Sequence, residues 1–180
     1  MNPSVSESGK PKWFVARTRY FRQEMKIRDW LTAHEIENYV PTETVRSSRS
    51  GDRGARHKMA EKPLAPNLVF LKAVKEDACA LVTDYGLPME FMVDCATHRM
   101  MVVPDKQMDD FQRVLDRSIL EGGMVDRPLQ LKDKVRVIKG PLQGVEGFVV
   151  EIRGRYHVAV SLCGFAWAVA QVPRAWIIKI

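Results

Sequence analysis

The chain has 180 residues, 46% of them hydrophobic, and a net charge of +6, enough for two small domains or one medium one. Its apolar runs are too short to span a bilayer, and the polar stretch Met1 to Pro11 lacks the apolar core of a secretory signal, so a cytoplasmic protein without membrane contact is expected. Cys79, Cys95 and Cys163 are scattered, and His34, His57, His98 and His157 are isolated, a pattern that argues against a disulfide framework or a zinc site.

The charge is unevenly spread. Residues 12–62 carry twelve Lys/Arg against seven Asp/Glu, residues 72–127 seven against eleven, and residues 128–180 eight against three. Two basic regions therefore flank an acidic one, a pattern suited to a polyanion such as nucleic acid or to a merely soluble basic protein.

Taken in order, residues 1–11 are rich in Ser, Gly and Pro and read as a disordered tail. Trp13 to Ala16 opens a strand that ends in Arg17-Thr18-Arg19. Phe21 to Glu35 reads as a helix, because Ile27, Trp30, Leu31 and His34 recur on one face. Ile36 to Pro41 follows as a short strand. Glu43 to Lys62 carries Arg46, Arg49, Arg53, Arg56, Lys58 and Lys62 around the turn-forming Ser50-Gly51-Asp52-Arg53-Gly54. It reads as a loose hairpin or loop, either a nucleic-acid contact or a solvated segment. Leu68 to Leu71 is a strand entered through the prolines at 63 and 66.

Lys75 to Val82 reads as a short helix, and Met89 to Val93 and Arg99 to Val103 as strands. A helix begins at Pro104-Asp105, with the core stripe Met108, Phe111, Leu115 and Ile119. Residues 12–119 thus predict an α+β domain, with helices on an antiparallel sheet. Residues 120–129, with Gly122-Gly123 and Pro128, read as a linker.

Residues 130–180 predict five short strands. Val135 to Ile138 alternate as a strand does, Gly140-Pro141 breaks it, Gly144 and Gly147 permit sharp turns, and Phe148 to Ile152 resumes. On spacing alone the pair fits a bent barrel or an ordinary hairpin. Tyr156 to Leu162, Phe165 to Val172 and Trp176 to Ile180 complete the count. No nucleophile–base pair, metal cluster or phosphate loop stands out, so neither catalysis nor a cofactor is expected.

The stretch Gly140-Pro141…Gly144…Gly147 before an apolar strand resembles a KOW motif, which implies a five-stranded SH3-like β-barrel. Upstream, Trp13-Phe14-Val15, Tyr39-Val40-Pro41, the run Pro63 to Leu71 and Val103-Pro104-Asp105 resemble the NusG N-terminal domain in order and spacing. Gly-Val-Glu-Gly at 144–147 and Val172 to Ile180 resemble the UpxY-type antiterminators of capsular polysaccharide operons and, more distantly, RfaH.

The resemblance to the NusG family implies a monomeric transcription elongation or antitermination factor that docks on the clamp helices of the largest RNA polymerase subunit and suppresses pausing. It would place Val15, Pro66, Asn67, Leu68 and Phe70 at the polymerase-binding pocket, with Leu68 where the family usually has Tyr. Phe70 is otherwise plain core. It would bring Arg17, Arg19, Arg22 and Lys26 to the non-template DNA strand, unless they are a solvated helix face, with Arg49, Arg53, Arg56 and Lys58 on nearby phosphates. In the KOW domain, Cys163, Gly164 and Phe165 stand where general members use Phe-Gly to meet Rho or a small-subunit ribosomal protein, which puts those partners in doubt. A general elongation factor, or a ribosome-associated nucleic-acid-binding KOW module, is the alternative.

Overall fold

The computed structural model describes residues 9–47, 58–121, 123–125, 132–152, 154–163 and 166–180. Packing divides the chain into two compact units, Met1–Met101 and Val102–Ile180.

In the first unit the elements run β1 (Lys12–Thr18), α1 (Glu24–Ala33), β2 (Asn38–Tyr39), β3 (Thr42–Ser47), β4 (Lys58–Pro63), β5 (Leu68–Ala73), α2 (Lys75–Thr83) and β6 (Met89–Phe91). The main sheet has the order β2-β5-β1-β6, and its pairs are antiparallel. The central strands β1 and β5 each hold an unbroken buried run, Trp13 to Ala16 and Leu68 to Leu71, as strands buried on both faces must. Phe14, Ala16, Val69 and Leu71 form one core with Ile27 and Leu31 of α1 and Ala78 and Leu81 of α2. Side chains alternate along a strand, so Trp13, Val15, Leu68 and Phe70 belong to the opposite face.

The expected α1 stripe holds at Ile27 and Leu31, but the helix begins at Glu24, not Phe21. Arg22 takes the left-handed φ of 61°, which an α-helix cannot contain, so residues 20–23 form a turn instead. Strand β2 is shorter than the expected 36–41. The basic segment is a hairpin whose arms, β3 and β4, pair from Thr42↔Pro63 to Ser47↔Lys58. Arg49, Arg53 and Arg56 lie outside the described residues, as does the tail to residue 8.

The second unit runs β7 (Val102–Val103), α3 (Asp105–Glu121), β8 (Gly123–Val125), β9 (Lys134–Val137), β10 (Glu146–Ile152), β11 (Arg155–Leu162), β12 (Ala166–Gln171), a 3-10 turn at Arg174–Trp176, and β13 (Ile177–Lys179). Strands β9 to β13 are the five expected. The sheet has six strands, in the order β13-β9-β10-β11-β12-β8. The end strands β13 and β8 do not pair with each other, so the expected closed five-stranded barrel is here an open antiparallel sheet with one strand more.

Strand β8 lies inside the segment read as a linker. It pairs with β12 through backbone bonds, at Trp167↔Val125, Ala168↔Met124 and Val169↔Gly123. Such pairing needs no side-chain signature, and the Gly-Gly that suggests a break conceals it. Helix α3 packs on β12 and β11. It therefore groups with the C-terminal sheet, whereas its sequence position assigns it to the N-terminal domain. Met108, Phe111 and Leu115 of its stripe are buried; the Ile119 side chain lies outside the described residues.

Two glycines explain the β9–β10 turn. Gly140 has φ 78°, and the Trp176 ring lies where its Cβ would stand. Gly147 passes so close to β11 that an added Cβ would sit 2.5 Å from Ala159 O and 2.9 Å from Val158 Cγ1. Gly147→Ala should therefore lower stability by about 1–3 kcal/mol through overpacking. Thermal denaturation checks this, and an unchanged midpoint would show that the strands yield without cost.

Candidate functional site

The second face of the N-terminal sheet brings three separated segments together. Val15 on β1 is the direct antiparallel partner of Phe70 on β5, and Tyr39 on β2 is its partner on the other side. The Tyr39 and Phe70 rings are 6.3 Å apart, tilted by 42°. Arg17 pairs with Leu68 and so shares this face. The result is an apolar row, Tyr39–Phe70–Val15, with Leu68 beside it and the exposed Arg17 at its end. Val15 and Phe70 are fully buried, and Leu68 nearly so.

Pro66 and Asn67, expected in the same pocket, form the turn into β5 instead. Pro66 is exposed, and Asn67 has φ 62°, a conformation that Asn and Gly adopt most easily. Asn67 is tied to the end of β1. The Thr18 N–H donates to Asn67 O (2.9 Å), and Thr18 Oγ1 lies within reach of both Tyr20 O (2.9 Å) and Asn67 Oδ1 (3.2 Å). Thr18 thus locks two turns side by side, and it carries no local signal that would single it out.

The basic residues expected at the β1–α1 turn do gather there. Arg17 is exposed at the end of β1. Arg19 pairs with Glu90 at 3.0 Å, and its N–H donates to Pro88 O at 2.8 Å. The Arg22 guanidinium lies 5.1 Å from the centre of the Phe21 ring. Lys26 is exposed in the first half of α1. Among the described residues, Arg17, Arg22 and Lys26 have no carboxylate at ion-pair distance. The hairpin is fixed to the same helix, because Arg28 of α1 bonds Glu61 of β4 as well as Asp29. The hydrogen bond to Glu61 is the main cause that raises the Arg28 pKa. Lys58 begins β4, but its side chain lies outside the described residues.

In the second unit, α3 holds the β9–β10 turn. Lys106 Nζ donates to Gly144 O (3.1 Å), and Arg113 Nη2 to Pro141 O (3.2 Å) and Gln143 O (2.9 Å). The buried Asp110 accepts the Glu146 N–H (3.2 Å) and pairs with Lys106 (2.6 Å). The Gly144 N–H closes the turn on Val137 O at 2.8 Å. Glu146 accepts two hydrogen bonds from Arg136, which hold its carboxyl below the usual range. Cys163 is exposed, at φ 47°, with Sγ 3.6 Å from Val102 O. Gly164 and Phe165 lie outside the described residues.

Among the described residues, no group of three or more His, Cys, Asp or Glu is placed to hold a metal, and no helix is long and apolar enough to cross a membrane. The described residues thus bring together a buried apolar row, an exposed basic turn and a two-armed hairpin. The family described as transcription termination factor nusG matches residues 11–112, more than half of the chain. The chain belongs to the NusG family. No curated protein matches it. The NusG match runs from β1 into the first half of α3, so it takes in the Val15–Phe70 row, the β1–α1 turn and the hairpin.

Proposed function

We propose that this NusG-family protein is an RNA-polymerase-bound elongation and antitermination factor that suppresses pausing and termination on particular operons, of the UpxY type, without catalysing a reaction. The observation that carries the reading is the row Tyr39–Phe70–Val15 on the sheet face opposite α1 and α2, which ends at the basic turn around Arg17. Val15 and Phe70 are buried, so apolar clamp helices of the polymerase would meet the row at its half-buried Tyr39 edge, and the cations beside it suit the exposed non-template strand. Arg49, Arg53, Arg56 and Lys58 of the hairpin would add phosphate contacts. The C-terminal sheet serves as the KOW unit, and Cys163 in place of the family's Phe puts Rho and the usual ribosomal protein in doubt as its partners.

Operon choice requires contacts to bases, and a bidentate Arg discriminates by about 1–3 kcal/mol where Lys cannot form the same fork. Terminator read-through in a reconstituted elongation assay should thus occur only on templates with the protein's own leader element. Arg→Lys changes at 17, 19 and 22 should remove that preference while polymerase pull-down persists. Equal read-through on every leader, including its own operon's, would leave a general elongation factor.

A further inference from the structure

The turn between β1 and α1 contains a feature that charge does not explain. Tyr20 is 63% and Phe21 68% exposed, the highest values among the exposed large hydrophobic residues described. Single apolar residues at a surface are ordinary. These two are consecutive, and ordered backbone presents them. Thr18 Oγ1 lies 2.9 Å from Tyr20 O, the Arg19 N–H is bonded to Pro88 O, and Arg22 turns the chain through φ 61° into α1. Around them stand Arg17, Arg19, Arg22 and Lys26. The nearby carboxylates are Glu90, which is paired with Arg19, and Glu24, which is buried.

We propose that Tyr20 and Phe21 form a stacking platform for unpaired bases of single-stranded DNA. This deepens the preceding reading and rests on it for the choice of DNA. The chemistry selects the ligand. Excess positive charge favours a polyanion, and flat aromatic faces favour bases whose own faces are free. In a duplex those faces are occupied by neighbouring bases, so the platform grips an opened strand and ignores a closed one. Arg22 over the Phe21 ring, at 5.1 Å, extends the cationic and π surface together. The platform is indifferent to base identity. It complements the Arg contacts, which read base edges, and it keeps the protein on the unpaired strand whatever the sequence.

The test uses the full-length protein and fluorescence anisotropy with four labelled probes: a short DNA strand, the same strand with abasic sugars in place of nucleosides, its duplex, and the RNA of the same sequence. The wild-type protein should bind the base-bearing DNA strand roughly tenfold or more tighter than the abasic strand, which has equal charge, and tighter than the duplex. Tyr20→Ala with Phe21→Ala should erase that preference and leave the slope of log affinity against log salt unchanged, because no phosphate contact is lost. Tyr20→Trp with Phe21→Trp should restore it. Both residues are exposed, so the melting curve should not move.

Equal binding of the base-bearing and abasic strands by the wild-type protein would overturn the proposal, as would tighter binding of the RNA. A double alanine variant that keeps the base preference but loses polymerase would overturn it too, and would make the pair a protein contact. Failure of the wild-type protein to bind polymerase would sink the elongation-factor reading alone, since the oligonucleotide comparison needs no polymerase.

Discussion

Phe70→Ala should lower the stability of the folded chain by about 3–5 kcal/mol and weaken polymerase binding by more than the unfolded fraction accounts for. The first effect follows from burial. Phe70 is fully buried on β5, between β2 and β1, with Val15 and Tyr39 as its cross-strand partners, and truncation leaves a cavity that a sheet held on both sides cannot close. Natural domains are stable by only about 5–15 kcal/mol, so the variant will be close to its limit, and Phe70→Leu is the milder companion. The second effect follows from the face. Leu71, the next residue, is equally buried but packs in the α1–α2 core. Leu71→Ala should cost about 2–5 kcal/mol and leave the binding of the folded fraction intact. Circular dichroism melts, followed by pull-down well below both midpoints, separate the two. Equal loss of binding in both variants would remove the row from the docking surface.

The second large effect is expected at Phe111. It is fully buried on α3, a helix that packs on β12 and β11, so Phe111→Ala should cost about 3–5 kcal/mol. Asp116, exposed on the same helix, should tolerate alanine within about 0.5 kcal/mol. The loss should also reach the β9–β10 turn, because α3 bonds Gly144 O, Pro141 O, Gln143 O and the Glu146 N–H. Hydrogen exchange reads this directly. The Glu146 amide, held by Asp110, should exchange faster in Phe111→Ala and keep its wild-type rate in Asp116→Ala. A stability loss under about 1 kcal/mol, well below that of a buried Phe, with unchanged exchange would mean that α3 is peripheral to the C-terminal sheet.

How much of this was legible beforehand depends on the range of the interaction that decides each feature. Most of the elements are local. The buried runs of β1 and β5, the Ile27 and Leu31 stripe of α1 and the five strands β9 to β13 are written in local periodicity and in Gly and Pro punctuation, which act within a few residues, whereas the basic segment left hairpin and loop open until the β3–β4 pairing decided it. The basic character of the β1–α1 turn is equally local. What those elements share depends on contacts between residues far apart in the chain. That Phe70 opposes Val15 and Tyr39, on the face away from α1 and α2, depends on strand register, and a one-residue slip would turn it to the other face. That α1 starts late, leaving Tyr20 and Phe21 exposed, depends on the left-handed Arg22, a residue type with no preference for that conformation. Thr18 reaches Asn67, and Arg28 reaches Glu61, across gaps in the chain that no periodicity spans. Strand β8 joins β12, and α3 follows it onto the C-terminal sheet, through backbone hydrogen bonds and long-range packing. Any residue but proline can make such backbone bonds, so the sequence leaves no mark of where they will form.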